Sequence, residues 1–279
     1  MSIHSEIIGE GDPIVLIHGF CETSSVWRPL TNKLALSYQV ITLDLPGFGK
    51  SPLPSSSFSI MDIAEMVHGI LEDNNLLQSA VIGHSLGGYV ALALAERHAE
   101  DFKGFGLFHS TSFADDDEKK RSRNKTIDFV KKRGVEVFAD SFVQQLFYVK
   151  NRSRLETEIR QVTKIAGETS ETSLISYMEA MRDRPDRSNV LESLTLPTLF
   201  IAGDQDGSVP IEKSRAHYEL MQNATIKELK DVAHMGMFEA TQECFVAISE
   251  FLSNVYPSNN SYDTGMLPDR DLKKNLGCG

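Results

Sequence analysis

The sequence predicts an α/β fold with a mainly parallel central sheet and helices on both of its faces. Three observations carry this. Short apolar runs alternate with helical patterns through residues 13–110. The same alternation resumes at residue 197 and continues to 252. The stretch between them, 112–190, is helical in pattern and poor in strands. Strands buried on both faces read as unbroken apolar runs, and parallel neighbours need a crossover helix between them.

In chain order, PIVLI (13–17), YQVITL (38–43), SAVIG (79–83) and FGLF (105–108) read as buried strands. Between them, Ile60, Ile63, Val67, Ile70 and Leu71 fall on one face of a helix over 60–73, with Asp62 and Glu65 suited to its first turn. LGGYVALALAERH (86–98) is apolar nearly all round, as a buried central helix should be. From Ser112 the character changes. The basic residues 119–123 are balanced by the acidic 115–118 and read as a solvated helix face. Helical spacing recurs at Ile127, Phe129 and Val130, then from Val137 to Phe147, then at Leu174, Tyr177, Met178 and Met181. Phe113, Phe138, Phe142 and Phe147 fit the core of this lobe better than a substrate wall. A strand over 197–203, a helix over 211–222, a strand over 224–229 and a closing helix over 237–252 complete the pattern. The expected organisation is an α/β core (1–111 and 191–252), a helical cap (112–190) and a polar C-terminal tail (253–279).

Composition bounds the function. The 279 residues carry 28 Lys+Arg against 39 Asp+Glu, a net charge of −11, so charge alone draws the chain to neither nucleic acid nor anionic lipid. No run approaches the roughly 20 apolar residues of a membrane helix, and the first residues lack the pattern of a secretory signal. Cys21, Cys244 and Cys278 are odd in number and lack C-x-x-C spacing. A cytoplasmic location follows as the expectation, with no metal, no cofactor, no nucleic acid or membrane partner, and a monomer or weak homodimer as the state.

The chemistry centres on Gly83-His84-Ser85-Leu86-Gly87-Gly88, which fits G-x-S-x-G where a strand meets a helix. A chain of this length yields about 0.1 such matches by chance, so the placement gives the motif its weight. A strand turning sharply into a helix strains the central residue, exposes its hydroxyl and needs small neighbours. It also presents the Leu86 N–H at a helix N-terminus, where developing negative charge is stabilised. The competing reading is a serine helix cap with flanking glycines. A serine nucleophile needs a base. In this kind of sheet the chain order is serine, acid, histidine, which leaves His217 and His234 of the eight histidines. His217 lies in a charged helical stretch that reads as solvated. His234 lies in a loop past the last strand and is the expected base. The acid belongs to GDQDGSVP (203–210), where Asp206 reaches further beyond the strand than Asp204, which remains the runner-up. The second oxyanion donor is expected in the turn after the first core strand, as the Phe20 N–H, with His18 a structural residue bonded to loop carbonyls. The segment ending Gly47-Phe-Gly-Lys-Ser51 lacks the first glycine of a phosphate-binding loop, because position 44 is Asp.

Taken together, HGF at 18–20, DLPGFGKS at 44–51, GHSLGG at 83–88, GDQDGSVP at 203–210 and AHMGMFE at 233–239 resemble the α/β-hydrolase superfamily. More narrowly, they are similar to its small esterase, lactonase and cofactor-free haloperoxidase-like members with a helical cap. The resemblance spans about residues 10–252. It implies Ser85 as nucleophile, Asp206 as acid, His234 as base, and Phe20 and Leu86 as backbone oxyanion donors. There are two departures from the family pattern. Only residues 3–8 are available for the family's first antiparallel strands, and Ala233 stands where many relatives have glycine. The expected activity is cofactor-independent cleavage of a small carboxylic ester, lactone or thioester through an acyl-serine. Lyase, C–C hydrolase or perhydrolase chemistry on the same triad is the alternative, and a non-catalytic ligand receptor on the same scaffold is a third reading.

Overall fold

A computed structural model describes residues 3–257. Most of the stretch read as a polar tail, and Cys278 with it, lies outside the described residues. Seven strands form one sheet: β1 (Ser5–Ile8), β2 (Pro13–Ile17), β3 (Gln39–Leu43), β4 (Ala80–His84), β5 (Gly104–Phe108), β6 (Thr198–Gly203) and β7 (Ala224–Leu229). Their order is β1-β3-β2-β4-β5-β6-β7. Only β1 runs antiparallel, against β3. In the parallel part, Val15 stands opposite both Ile41 and Val81, and Leu107 opposite both Gly83 and Phe200. All six parallel strands therefore end at one edge, where their loops gather.

The helices are α1 (Arg28–Leu34), α2 (Ile60–Asp73), α3 (Leu86–His98), α4 (Asp117–Arg133), α5 (Val135–Leu146), α6 (Glu156–Gly167), α7 (Glu171–Arg182), α8 (Ser188–Ser193), α9 (Ile211–Tyr218), α10 (Gly236–Glu239) and α11 (Thr241–Val255). A capping box opens α2: Ser59 Oγ accepts the Asp62 N–H, and Asp62 accepts the Ser59 N–H. Its buried face is Ile60, Ile63, Ala64, Val67 and Leu71. Leu86 to Ala95 of α3 are buried all round, which is why that helix shows no polar face. Helices α4 to α8 lie between β5 and β6, in the stretch where the sequence shows no strands.

Several expectations need correction. The helix after β6 stops at Tyr218, not at residue 222. The closing helix breaks at Ala240 and then runs on to Val255. Tyr256 packs against the core, its hydroxyl donating to the Pro13 carbonyl and accepting the Ala80 N–H. Residues 253–256 thus belong to the fold. The charged stretch opening α4 is not wholly solvated. Arg123 and Asp115 are buried and paired, and Arg184 Nη1 donates to the same carboxylate at 2.7 Å, because α4 turns one face toward α7. Strand β1 and helix α1 are short, and β1 is mostly exposed, so neither leaves a strong apolar pattern. Among the described residues no helix is long and apolar enough to cross a membrane.

Candidate active site

Ser85 sits between β4 and α3 with φ 50° and ψ −112°, a conformation outside the regions L-residues favour. Its surroundings hold it there. The Ser85 N–H donates to the Phe108 carbonyl at 3.0 Å, and its own carbonyl accepts from Ser110 Oγ at 2.7 Å. The motif's glycines are required by close approach. A Cβ on Gly83 would lie 2.1 Å from the Gly87 oxygen, and one on Gly87 would lie 2.3 Å from the Ile17 oxygen. Leu86 opens α3, so its N–H is one of the first-turn donors that a helix cannot satisfy internally.

The loop after β2 carries the second expected donor. His18 is buried; its Nε2 accepts the Leu45 N–H at 2.8 Å, and its Nδ1–H donates to the Gly19 carbonyl at 2.7 Å. That carbonyl belongs to the peptide whose N–H is Phe20's. Because a trans peptide is planar, holding its oxygen also sets the direction of its N–H. Burial pushes the His18 pKa down, in keeping with a neutral ring that donates once and accepts once.

At the ends of β6 and β7 the expected acid and base meet. His234 Nδ1–H donates to Asp206 Oδ2 at 2.7 Å, with both side chains buried. Asp206 Oδ1 accepts the N–H groups of Ser208 at 2.8 Å and Val209 at 3.0 Å. Burial alone would raise the Asp206 pKa. The neighbouring His234 and the hydrogen bonds of two histidines instead hold it well below the usual carboxylate range. Asp204, the runner-up, accepts the Val232 N–H at 3.3 Å, in keeping with a turn residue. His217 corrects the solvated reading: it is buried, with Nδ1–H donating to the Lys213 carbonyl and Nε2 accepting the Ser112 N–H.

The second histidine on Asp206 is His109, just past β5, whose Nδ1–H donates to Oδ2 at 3.2 Å. It too has positive φ, 48°. Burial pushes its pKa down to about 4, so the ring is neutral near pH 7. Chain order excludes His109 as the base, and its place beside Asp206 is set by a contact 97 residues apart that leaves no local sign. Three further residues around the site escape sequence reasoning. Glu239 Oε1 accepts the N–H groups of Ala233 and Met235 on either side of His234, while its Oε2 accepts the Tyr148 N–H. Glu22 and His84 form a buried pair directly under the Ser85 and Phe20 loops.

Two trios of possible metal ligands occur among the described residues. In His109–Asp206–His234 both imidazoles turn N–H groups toward the carboxylate, which satisfies it without an ion. In His68–His98–Asp101 the two rings stack 3.7 Å apart at 16°, and His68 Nε2 lies 2.8 Å from Asp101 Oδ2. Above the site, Phe138 and Phe142 stack on each other and meet the Phe20 ring edge-on. They border a cleft of about 480 Å³ that Met178 and Ser208 line together with the basic Lys119, Arg123 and Lys125.

A strained serine at the carboxyl end of a central strand, with an acid–histidine pair on loops at the same edge of a mostly parallel seven-stranded sheet, is the α/β-hydrolase arrangement. The family described as the alpha/beta hydrolase fold matches residues 12–125. The chain has the α/β-hydrolase fold. Among solved structures, a thermophilic esterase from Thermogutta terrifontis aligns with TM-score 0.86 and 24% identity, over 91% of this chain and 93% of that one. The enol-lactonase from Burkholderia xenovorans LB400 aligns with TM-score 0.84 and 22% identity, over 90% and 96%. A pimeloyl-[acyl-carrier protein] methyl ester esterase from Aeromonas hydrophila is 42% identical over 101 residues, 36% of this chain and 38% of that protein.

Proposed function

We propose that the protein is a cofactor-independent serine hydrolase that cleaves a small carboxylic ester, lactone or thioester. His234 Nε2 takes the proton of Ser85, whose oxygen attacks the substrate carbonyl. The N–H groups of Phe20 and Leu86 receive the charge that forms on the carbonyl oxygen. Asp206 keeps the proton of His234 on Nδ1 and stabilises the imidazolium, which gives the Ser85 proton to the departing alcohol or thiol and is neutral again. Water, deprotonated by the same histidine, then releases the acid from Ser85.

The observation that carries the reading is the buried His234–Asp206 hydrogen bond of 2.7 Å, on loops that share a sheet edge with the strained Ser85. The esterase and lactonase names of the similar proteins support the substrate class. Phe138 and Phe142, which meet the Phe20 ring, offer apolar surface suited to an acyl or alcohol group beside the Phe20 loop. The test is hydrolysis of p-nitrophenyl esters of increasing acyl length by the parent and by Ser85→Ala. The variant is expected to lose on the order of 10⁶ in kcat. Parental turnover in Ser85→Ala would end the serine mechanism.

A further inference from the structure

Glu22 and His84 form an ion pair that is almost fully excluded from water, with side chains 2% and 0% exposed. An uncompensated charge at that depth is costly, so the groups around the pair indicate what it is for. Glu22 Oε2 accepts two hydrogen bonds, from His84 Nδ1–H at 3.0 Å and from the Gly19 N–H at 2.8 Å. The other nitrogen, His84 Nε2, donates to the His234 carbonyl at 3.0 Å. A carbonyl only accepts, and so does an ionised carboxylate, so both ring nitrogens carry hydrogen and His84 is an imidazolium. Burial opposes charge on both partners, yet their mutual attraction and hydrogen bonds outweigh it, holding Glu22 below its ordinary value and His84 above.

The pair joins three loops that come together from distant parts of the chain. Gly19 precedes Phe20, so one end of the pair is bonded to the loop that offers the Phe20 N–H. His84 precedes Ser85, so its middle is anchored to the strained elbow. The other end holds the backbone of His234. The His234 N–H is held independently by the Leu146 carbonyl at 2.9 Å, and its ring by Asp206. With its carbonyl also held, the residue has little freedom to move toward or away from Ser85. We propose that Glu22 and His84 are positioning residues: a buried charged strut that sets the oxyanion loop and the His234 backbone at fixed distances from Ser85. Neither touches substrate. The proposal rests on the serine hydrolase reading above and adds to it the groups that hold its parts in register. The opposite charges also leave no net charge beside the His234 ring, whose centroid lies 4.9 Å from that of His84.

The experiment compares Glu22→Gln, His84→Gln and the double variant with the parent, each scored per folded molecule, alongside Ser85→Ala. A strut acts on alignment in the transition state, so each single variant should lose about 10-fold or more in kcat, while KM changes by less than about 3-fold. Because both substitutions cut the same connection, the double variant should lose no more than the worse single one. If both single variants keep kcat near the parental value, or if the losses multiply in the double variant, the strut is refuted. Should His84→Gln fail to fold, Glu22→Asp decides, because it keeps the charge but is one methylene too short to hold both Gly19 and His84. It is expected to lose kcat in the same way, and parental kcat in that variant counts against the proposal. Parental turnover in Ser85→Ala would instead overturn the serine reading, whatever the other variants do.

Discussion

Replacing Asp206 by Asn separates the two candidate acids and tests the direction of every hydrogen bond at the site. The carboxylate accepts four hydrogen bonds, two backbone N–H groups on Oδ1 and the Nδ1–H groups of His234 and His109 on Oδ2. In Asp206→Asn the amide oxygen would keep the two backbone donors, leaving the NH₂ to face both imidazoles. Each ring must then present a bare Nδ1 and carry its hydrogen on Nε2. For His234 that is the nitrogen that has to accept the Ser85 proton, so the base is in the wrong tautomer while the fold is nearly unchanged. A loss of about 10⁴ in kcat is expected, equivalent to about 5 kcal/mol of transition-state stabilisation. The measurement is steady-state hydrolysis of a p-nitrophenyl ester by both Asn variants, with KM determined separately. Asp204→Asn is the control; the bond its side chain accepts from the Val232 N–H at 3.3 Å can be kept by the amide oxygen. It should stay within about 3-fold of the parent, as substitutions away from a special site do. Retention of more than a tenth of parental kcat by Asp206→Asn, or an equal loss in Asp204→Asn, would refute the tautomer argument.

Three further outcomes follow from the packing. The folded His109 ring titrates near pH 4 against 6.5 for an ordinary histidine, so between those values only the unfolded chain takes up this proton and stability falls as the pH is lowered. Across that window the parent should lose roughly 3 kcal/mol more than His109→Gln in urea unfolding, and parallel curves would show that His109 does not stay neutral. Gly83→Ala puts a Cβ against the backbone oxygen of Gly87, which has no flexible side chain to yield. A destabilisation of about 3 kcal/mol or more is expected in denaturant unfolding, whereas a parental midpoint would mean that the elbow relaxes. Tyr256→Phe removes a hydroxyl that serves both the Pro13 carbonyl and the Ala80 N–H, at a cost of about 1–3 kcal/mol in the same assay. No change there would show that the Tyr256 hydroxyl adds nothing to the fold.

Strands such as PIVLI and SAVIG announce themselves because both faces of a parallel sheet are covered, leaving no polar alternation to confuse them with loops. Helix α2 is equally plain, with its capping box and its apolar face in one short stretch. Elements held by distant partners are harder to read. Strand β1 pairs with β3 across more than thirty residues while most of its side chains stay exposed, and the end of α11 owes its extension to contacts of Tyr256 with Pro13 and Ala80.

The candidate site divides in the same way. The elbow is legible in the residues alone, because the demand for small residues around Ser85 arises between residues that are close in the chain, Gly83 against Gly87. The residues alone also show where to look for His234 and Asp206, because the order of the strands orders the loops that carry them. Which groups hold those residues emerges in the folded chain. Glu22 meets His84 over 62 residues, His84 meets the His234 carbonyl over 150, and His109 meets Asp206 over 97. Whether a histidine is solvated, as His217 was expected to be, or buried and charged like His84, depends on the acceptors that folding brings to its two nitrogens. Those acceptors come from other loops, and their distance from the ring is not written in the residues beside it.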